Sequence, residues 1–185
     1  MSLPSPSVLG GLYGLSELLL ALMKRAKGRA NARDRGSLLI LWGVIIAGVV
    51  AANFAAHVFK GFSLSVDFYP YSCTAFGCGL LVRWYAILYL GRFFTVDVAI
   101  QNDQRVIETG PYRFIRHPSY SGALLAFFGL GVCLLNWISL LVLFIPVTGA
   151  FLYRIRIEET VLVESLGQAY SEYSTRTKRL IPFIY

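Results

Sequence analysis

Between Thr109 and Gly122 the chain reads TGPYRFIRHPSYSG, which sets two arginines, a histidine, two prolines and two tyrosines against the apolar run Ala123–Leu135. About 35 residues further on come Arg154, Glu158 and Glu159. An arginine can hold a carboxylate through two parallel hydrogen bonds, while a glutamate can bind an amine, a sulfonium-bearing cofactor or ribose hydroxyls. Arg154 and Glu158 are four apart and share a helix face, so the pair also reads as a plain surface salt bridge. His117 alone reads first as a helix N-cap or structural residue. Tyr112 and Tyr120 read as interfacial aromatics, and Gly110 and Gly122 as turn or close-packing positions. What raises the cluster above these separate readings is its place: polar groups at the mouth of an apolar span mark a site.

The elements that position it follow from hydropathy. The chain has 185 residues, of which 56% are hydrophobic and 15% charged, whereas an ordinary soluble domain carries about 25% charged residues. Such a chain belongs in a membrane. Its net charge of +7 does not point to nucleic acid, because the basic residues lie between apolar spans rather than on one solvated face. Cys73, Cys78 and Cys133 form no CxxC pair and the chain has two histidines, so a metal site is not expected. Cys73 and Cys78 read as two unpaired thiols or, on a non-cytoplasmic face, as a disulfide. The N-terminus lacks the pattern of a cleaved signal peptide, so the first span is expected to stay.

Five spans are expected in an all-α integral membrane fold of one domain, at about residues 3–23, 37–58, 74–91, 118–135 and 137–153. Asn136 interrupts an apolar run too long for one span, which predicts a helical hairpin for spans four and five. Pro118 suits the first turn of span four, with His117 at the N-cap, and Pro146 is expected to kink span five. Residues 154–178 carry an apolar period of three to four and predict an amphipathic cytoplasmic helix. Val96, Val98 and Ile100 alternate as in a short extended segment. Arg83, in the middle of span three, needs a buried partner, for which Glu17 is the candidate, or must snorkel. Of the 17 basic residues, 15 fall in segments this topology assigns to the cytoplasm, which puts the N-terminus outside and the C-terminus inside. The glycines of span one can pack within the chain or against a copy, so the oligomeric state is open.

The spelling Gly110-Pro-Tyr112-Arg113, Arg116-His117-Pro118-x-Tyr120-x-Gly122, then Arg154, Glu158-Glu159, Gly167 and Tyr170 resembles the isoprenylcysteine carboxyl methyltransferase family of integral membrane enzymes, over roughly residues 90 to 185. The resemblance implies S-adenosylmethionine as cofactor, held by Tyr112, Arg116, His117, Pro118, Tyr120, Glu158 and Glu159. It makes Arg154 the residue that orients the methyl acceptor, with Glu158 beside it in the catalytic pair. The acceptor it implies is a lipophilic small molecule or lipid-modified substrate met in the lipid bilayer, such as a prenylcysteine-like carboxylate. Phospholipid headgroup N-methyltransferases look similar around the histidine motif. NADPH-dependent sterol reductases share a tail like Pro182-Phe-Ile-Tyr185, although those chains are far longer. A Rossmann-type methyltransferase is excluded, because no GxGxxG follows a strand.

Overall fold

The computed structural model describes residues 3–23, 32–94 and 105–185. Among these, regular structure is helical, joined by two isolated β-bridges, Ser63 to Asn136 and Ile115 to Lys178. The main helices are α1 (Pro6–Met23), α2 (Ala32–Val58), α3 (Tyr69–Leu90), α4 (Pro118–Cys133), α5 (Trp137–Leu166) and α6 (Gln168–Arg176). The alternating segment Val96 to Ile100 and most of the basic run after Met23 lie outside the described residues.

Among the described residues, four helical stretches are long and apolar enough to cross a membrane: Pro6–Met23, Gly36–Val58, Val66–Phe93 and Trp137–Leu166. The 16-residue α4 is shorter, about 24 Å at the α-helical rise. Leu39, Ile46, Val50, Phe54, Leu81 and Ile145 are exposed on the outer surface, as hydrocarbon surroundings favour. The buried core runs between α1, α2, α4 and α5 through Leu9, Tyr13, Ile45, Phe127, Leu143 and Phe151.

Glycine decides how closely α3 and α4 approach. A Cβ on Gly79 would sit 2.4 Å from the Ala126 nitrogen, one on Gly122 would sit 2.5 Å from the Arg83 nitrogen, and one on Gly129 would sit 2.6 Å from the Phe76 nitrogen. Each obstacle is backbone, so it cannot swing aside. Gly122→Ala should therefore force α4 off α3, at a cost of about 1–3 kcal/mol for overpacking. A lower thermal midpoint in detergent is the expected readout. The span-one glycines behave differently: at Gly10, Gly11 and Gly14 an added Cβ meets nothing within 4 Å among the described residues, so they close-pack against none of these.

Arg83 forms a two-pronged ion pair with Glu17 at 2.6 and 2.8 Å and donates its third arm to the Ser119 carbonyl at 3.2 Å. Trp84 Nε1 donates to Ser16 Oγ at 2.7 Å beside it. Together these bonds tie α1 to α3, as the cost of a lone charge at that depth requires.

The hairpin turn falls at Leu134–Asn136, where Leu135 takes φ 51°. Asn136 accepts from Ser139 N at the start of α5 and donates to the Phe59 carbonyl at 2.7 Å. The turn is thus pinned to the loop between α2 and α3. Cys73, Cys78 and Cys133 are all free thiols.

The helix beyond span five differs from the sequence expectation. Residues 154–178 do not form a separate amphipathic helix. The chain continues without a break from the apolar part of α5, which ends at Tyr153, through its charged extension to Leu166. Helix propensity explains this, because neither Gly nor Pro interrupts residues 150–166. Gly167 then takes φ 56°, ends α5 and lets α6 fold back. The tail after α6 lies along the segment preceding α4. Arg116 N donates to the Lys178 carbonyl at 2.7 Å and His117 N to the Arg179 carbonyl at 3.0 Å, while Ser121 Oγ donates to the Leu180 carbonyl at 2.6 Å. Leu180 is buried against the core, but Phe183 and Ile184 remain exposed.

Candidate active site

Pro118 opens α4 as the first helical residue with His117 at the N-cap, yet the His117 side chain makes no capping bond. It is drawn away to the acidic pair on α5. Glu159 collects three basic side chains. Arg116 Nε donates to its Oε1 at 2.7 Å, His117 Nε2 lies 3.3 Å from the same oxygen, and Arg179 Nε donates to Oε2 at 2.9 Å. Since a carboxylate only accepts, the His117 Nε2 carries a hydrogen. Arg116 is further fixed by the carbonyls of Ser174 and Thr177. Burial opposes ionisation of Glu159, but the hydrogen bonds and charges of His117 and Arg116 prevail and hold its carboxyl at about 2.

Glu158 has a different set of neighbours. Tyr120 Oη donates to Glu158 Oε2 at 2.7 Å and accepts from Arg154 Nε at 3.0 Å. Arg154 also donates from Nη1 to Ser37 Oγ at 2.9 Å and is only 3% exposed. The expected Arg154–Glu158 salt bridge is thereby spanned by a tyrosine hydroxyl. The His117 ring stacks on Tyr120, with centroids 5.5 Å apart and planes 9° apart, which fixes the tyrosine from its other side. Tyr112 Oη donates to the Ala86 carbonyl, and Tyr173 Oη to the Tyr112 carbonyl at 2.6 Å. Burial pushes the Tyr112 hydroxyl above its ordinary value, and the Glu158 charge adds to this.

These groups surround one cavity. Tyr112, Arg116, His117, Tyr120, Arg154 and Glu158 line it, whereas Pro118 and Glu159 do not. Pro118 is fully buried in the first turn of α4, and Glu159 faces the clamp of Arg116, His117 and Arg179. The side chain of Glu158 is 24% exposed, against 12% for Glu159, so Glu158 is the member of the pair available to a ligand. The rest of the lining divides in two. Leu20, Leu38, Leu41, Trp42 and Ile45 from α1 and α2 form an apolar part, while Arg105, Tyr170 and Tyr173 belong to the side built from loop and α6. Arg154 and Tyr120 belong to the polar set that meets both. The described residues contain no cluster able to hold a metal ion.

Four contributors carried no assigned role in the sequence reading: Ser37, Tyr170, Tyr173 and Arg179. Gly167 and Tyr170 stand in the quoted motif, so only for Tyr170 was a signal present. Ser37 lies 117 residues from Arg154 and has no local signature.

Comparison with known proteins gives this geometry a setting. Residues 73–164 match the model of the isoprenylcysteine carboxyl methyltransferase family, a stretch that starts earlier than the motif-bearing region. The chain is 36% identical over 108 residues to protein-S-isoprenylcysteine O-methyltransferase B of Arabidopsis thaliana, covering 57% of this chain and 55% of that one. It is 34% identical over 119 residues to the protein-S-isoprenylcysteine O-methyltransferase of Saccharomyces cerevisiae, covering 60% and 50%. It thus spans about half the length of the curated relatives it matches. A solved structure of the eukaryotic intramembrane Ras methyltransferase ICMT superposes with a TM-score of 0.64 at 26% identity, covering 76% of this chain and 51% of the other. The family match takes in α4 and nearly all of α5, which carry Tyr120, Arg154 and Glu158, and by it the chain belongs to the isoprenylcysteine carboxyl methyltransferase family.

Proposed function

We propose that this protein is a membrane methyltransferase that transfers the methyl group of S-adenosylmethionine to a lipophilic carboxylate, of the kind carried by a prenylated cysteine. One observation carries the reading: a buried arginine, Arg154, lies where the apolar and polar parts of one cavity meet, oriented by Tyr120 and Ser37. A lipophilic acceptor fits the apolar part, and its carboxylate would meet Arg154.

The donor supplies a methyl group on a positively charged sulfur. The residues present suit such a group, because the cavity offers the Glu158 carboxylate and, in Tyr170, a buried hydroxyl with no hydrogen-bond partner among the described residues. Tyr112, Arg116, His117 and Tyr120 complete the binding side, and Glu159 serves it indirectly by holding Arg116 and His117. A carboxylate acceptor has a pKa near 3.5, so it is already the anion at pH 7 and needs no general base. The work left to the protein is to hold and align the acceptor through Arg154 and to exclude water from the reacting groups.

The proposed topology makes α4 the fourth of five spans in a single membrane domain, with the N-terminus outside and the C-terminus in the cytoplasm. The site then faces the cytosolic supply of a soluble donor, while its apolar part remains within reach of the bilayer. The excess of Lys and Arg in the segments assigned inside supports this orientation.

Calorimetric titration of the detergent-purified protein with S-adenosylhomocysteine and, separately, NADPH tests the reading. Wild type should bind the homocysteine product. Glu158→Gln should weaken that binding at least about tenfold, the scale of one charge-assisted hydrogen bond, with little change in melting. Binding of NADPH alone would assign the chain to reductase chemistry instead.

A further inference from the structure

Tyr170 stands apart from every other polar group in the core. Its side chain is 5% exposed and lines the cavity, yet its hydroxyl is the one buried side-chain oxygen or nitrogen without a hydrogen-bond partner among the described residues. Its neighbour Tyr173 packs edge-on at 5.9 Å, but the Tyr173 hydroxyl has its own acceptor, the Tyr112 carbonyl. A buried hydroxyl left unpaired is destabilising, and native structures almost always provide a partner. Where no protein group serves, a bound ligand is a physical reason to keep it.

The lining around Tyr170 indicates which part of a ligand it would meet. Along α5, Arg154, Glu158, Leu162 and Leu166 recur every four residues on the cavity wall, a stripe about 18 Å long at the helical rise. Charge is confined to its first half. The second half is leucine, and past Gly167 the chain turns back so that α6 brings in Tyr170. A charged sulfonium or amino-acid group suits the end with Glu158 and Arg116. A flat, uncharged ring system with hydrogen-bonding edges suits leucine side chains together with one neutral hydroxyl.

On the donor reading proposed above, we infer that Tyr170 is a ligand contact whose hydroxyl hydrogen-bonds the nucleoside portion of the methyl donor. Gly167 is part of the same device, because its left-handed backbone turns α6 onto the cavity.

The test compares wild type with Tyr170→Phe by titration with S-adenosylhomocysteine and with 5′-methylthioadenosine, which keeps the nucleoside and lacks the amino-acid group. The thermal midpoint of the ligand-free proteins is measured in parallel. The expected result is a loss of about fivefold to tenfold in affinity for both ligands, with a ligand-free midpoint equal to or above wild type because an unpaired hydroxyl has been removed. Unchanged affinity for both ligands overturns the inference. A loss for S-adenosylhomocysteine alone overturns the nucleoside assignment, and a lowered ligand-free midpoint with proportionate loss of binding reduces Tyr170 to a structural residue. If wild type binds neither ligand, the donor reading itself fails, a result distinct from equal binding by wild type and variant.

Discussion

Arg154→Ala is expected to cut methyl transfer to a prenylcysteine acceptor by at least about 30-fold while leaving S-adenosylhomocysteine affinity within about threefold of wild type. The two halves of this expectation have different origins. Removing one partner of a desolvated, hydrogen-bonded charge pair costs about 2–5 kcal/mol, which at about 1.4 kcal/mol per decade is some 30-fold to several thousand-fold in kcat/KM. The donor side is less affected because Tyr120 keeps its bond to Glu158 when the arginine is removed. Arg154→Lys should recover only part of the activity. Lysine restores a point charge but not the planar fork that donates from Nε to Tyr120 and from Nη1 to Ser37. Turnover and binding falling together, by the same factor, would sink the assigned role and make Arg154 a structural support of the whole cavity.

Glu159→Ala should lower the stability of the fold more than any change on the cavity wall. Arg116 and His117 are almost wholly buried, and with Arg179 they converge on this one carboxylate. Breaking a buried ion pair by removing one partner costs about 3–5 kcal/mol, because the remaining charge has lost its compensation. The half-buried Arg179 contributes the least to that figure. The expected signs are a sharply lower melting temperature and early proteolysis of the tail after Arg176, whose backbone bonds to Arg116 and His117 depend on the clamp. Glu158→Gln, one residue away, should melt close to wild type and lose ligand affinity instead. The clamp also has a pH signature. The Glu159 carboxyl is held down at about 2 from an ordinary 4.5, so its stabilisation is complete above the ordinary value and is lost as pH falls towards 2. Glu159→Ala should lack that component of acid unfolding.

Much of the architecture was legible because lipid is a simple solvent. Long apolar runs identify helices with little ambiguity, and the lone polar Asn136 marks the hairpin turn because a span cannot readily carry it elsewhere. Arg83 and Glu17 could be matched across 66 positions for a similar reason: a charge at that depth needs a partner, and few candidates exist. The extent of α5 was less legible. The change from apolar to charged residues at Arg154 marks a change of surroundings, but it does not end a helix, and the backbone stops only at Gly167.

By itself the sequence determined the membrane class, the places of the helices and the polar cluster to which the proposed chemistry is assigned. Composition, hydropathic runs and a dense motif are local properties, readable without a partner. Only the tertiary structure decided how the cluster divides its labour. Neighbouring residues on a helix point about 100° apart, so Glu158 and Glu159 must face different surroundings. Which of them meets the cavity depends on where Arg116, His117 and Arg179 converge. The link from Ser37 to Arg154, the tyrosine bridge between Arg154 and Glu158, and the Tyr170 hydroxyl left without a partner among the described residues are all long-range facts. They arise when separate helices pack, and no spacing along the chain encodes them.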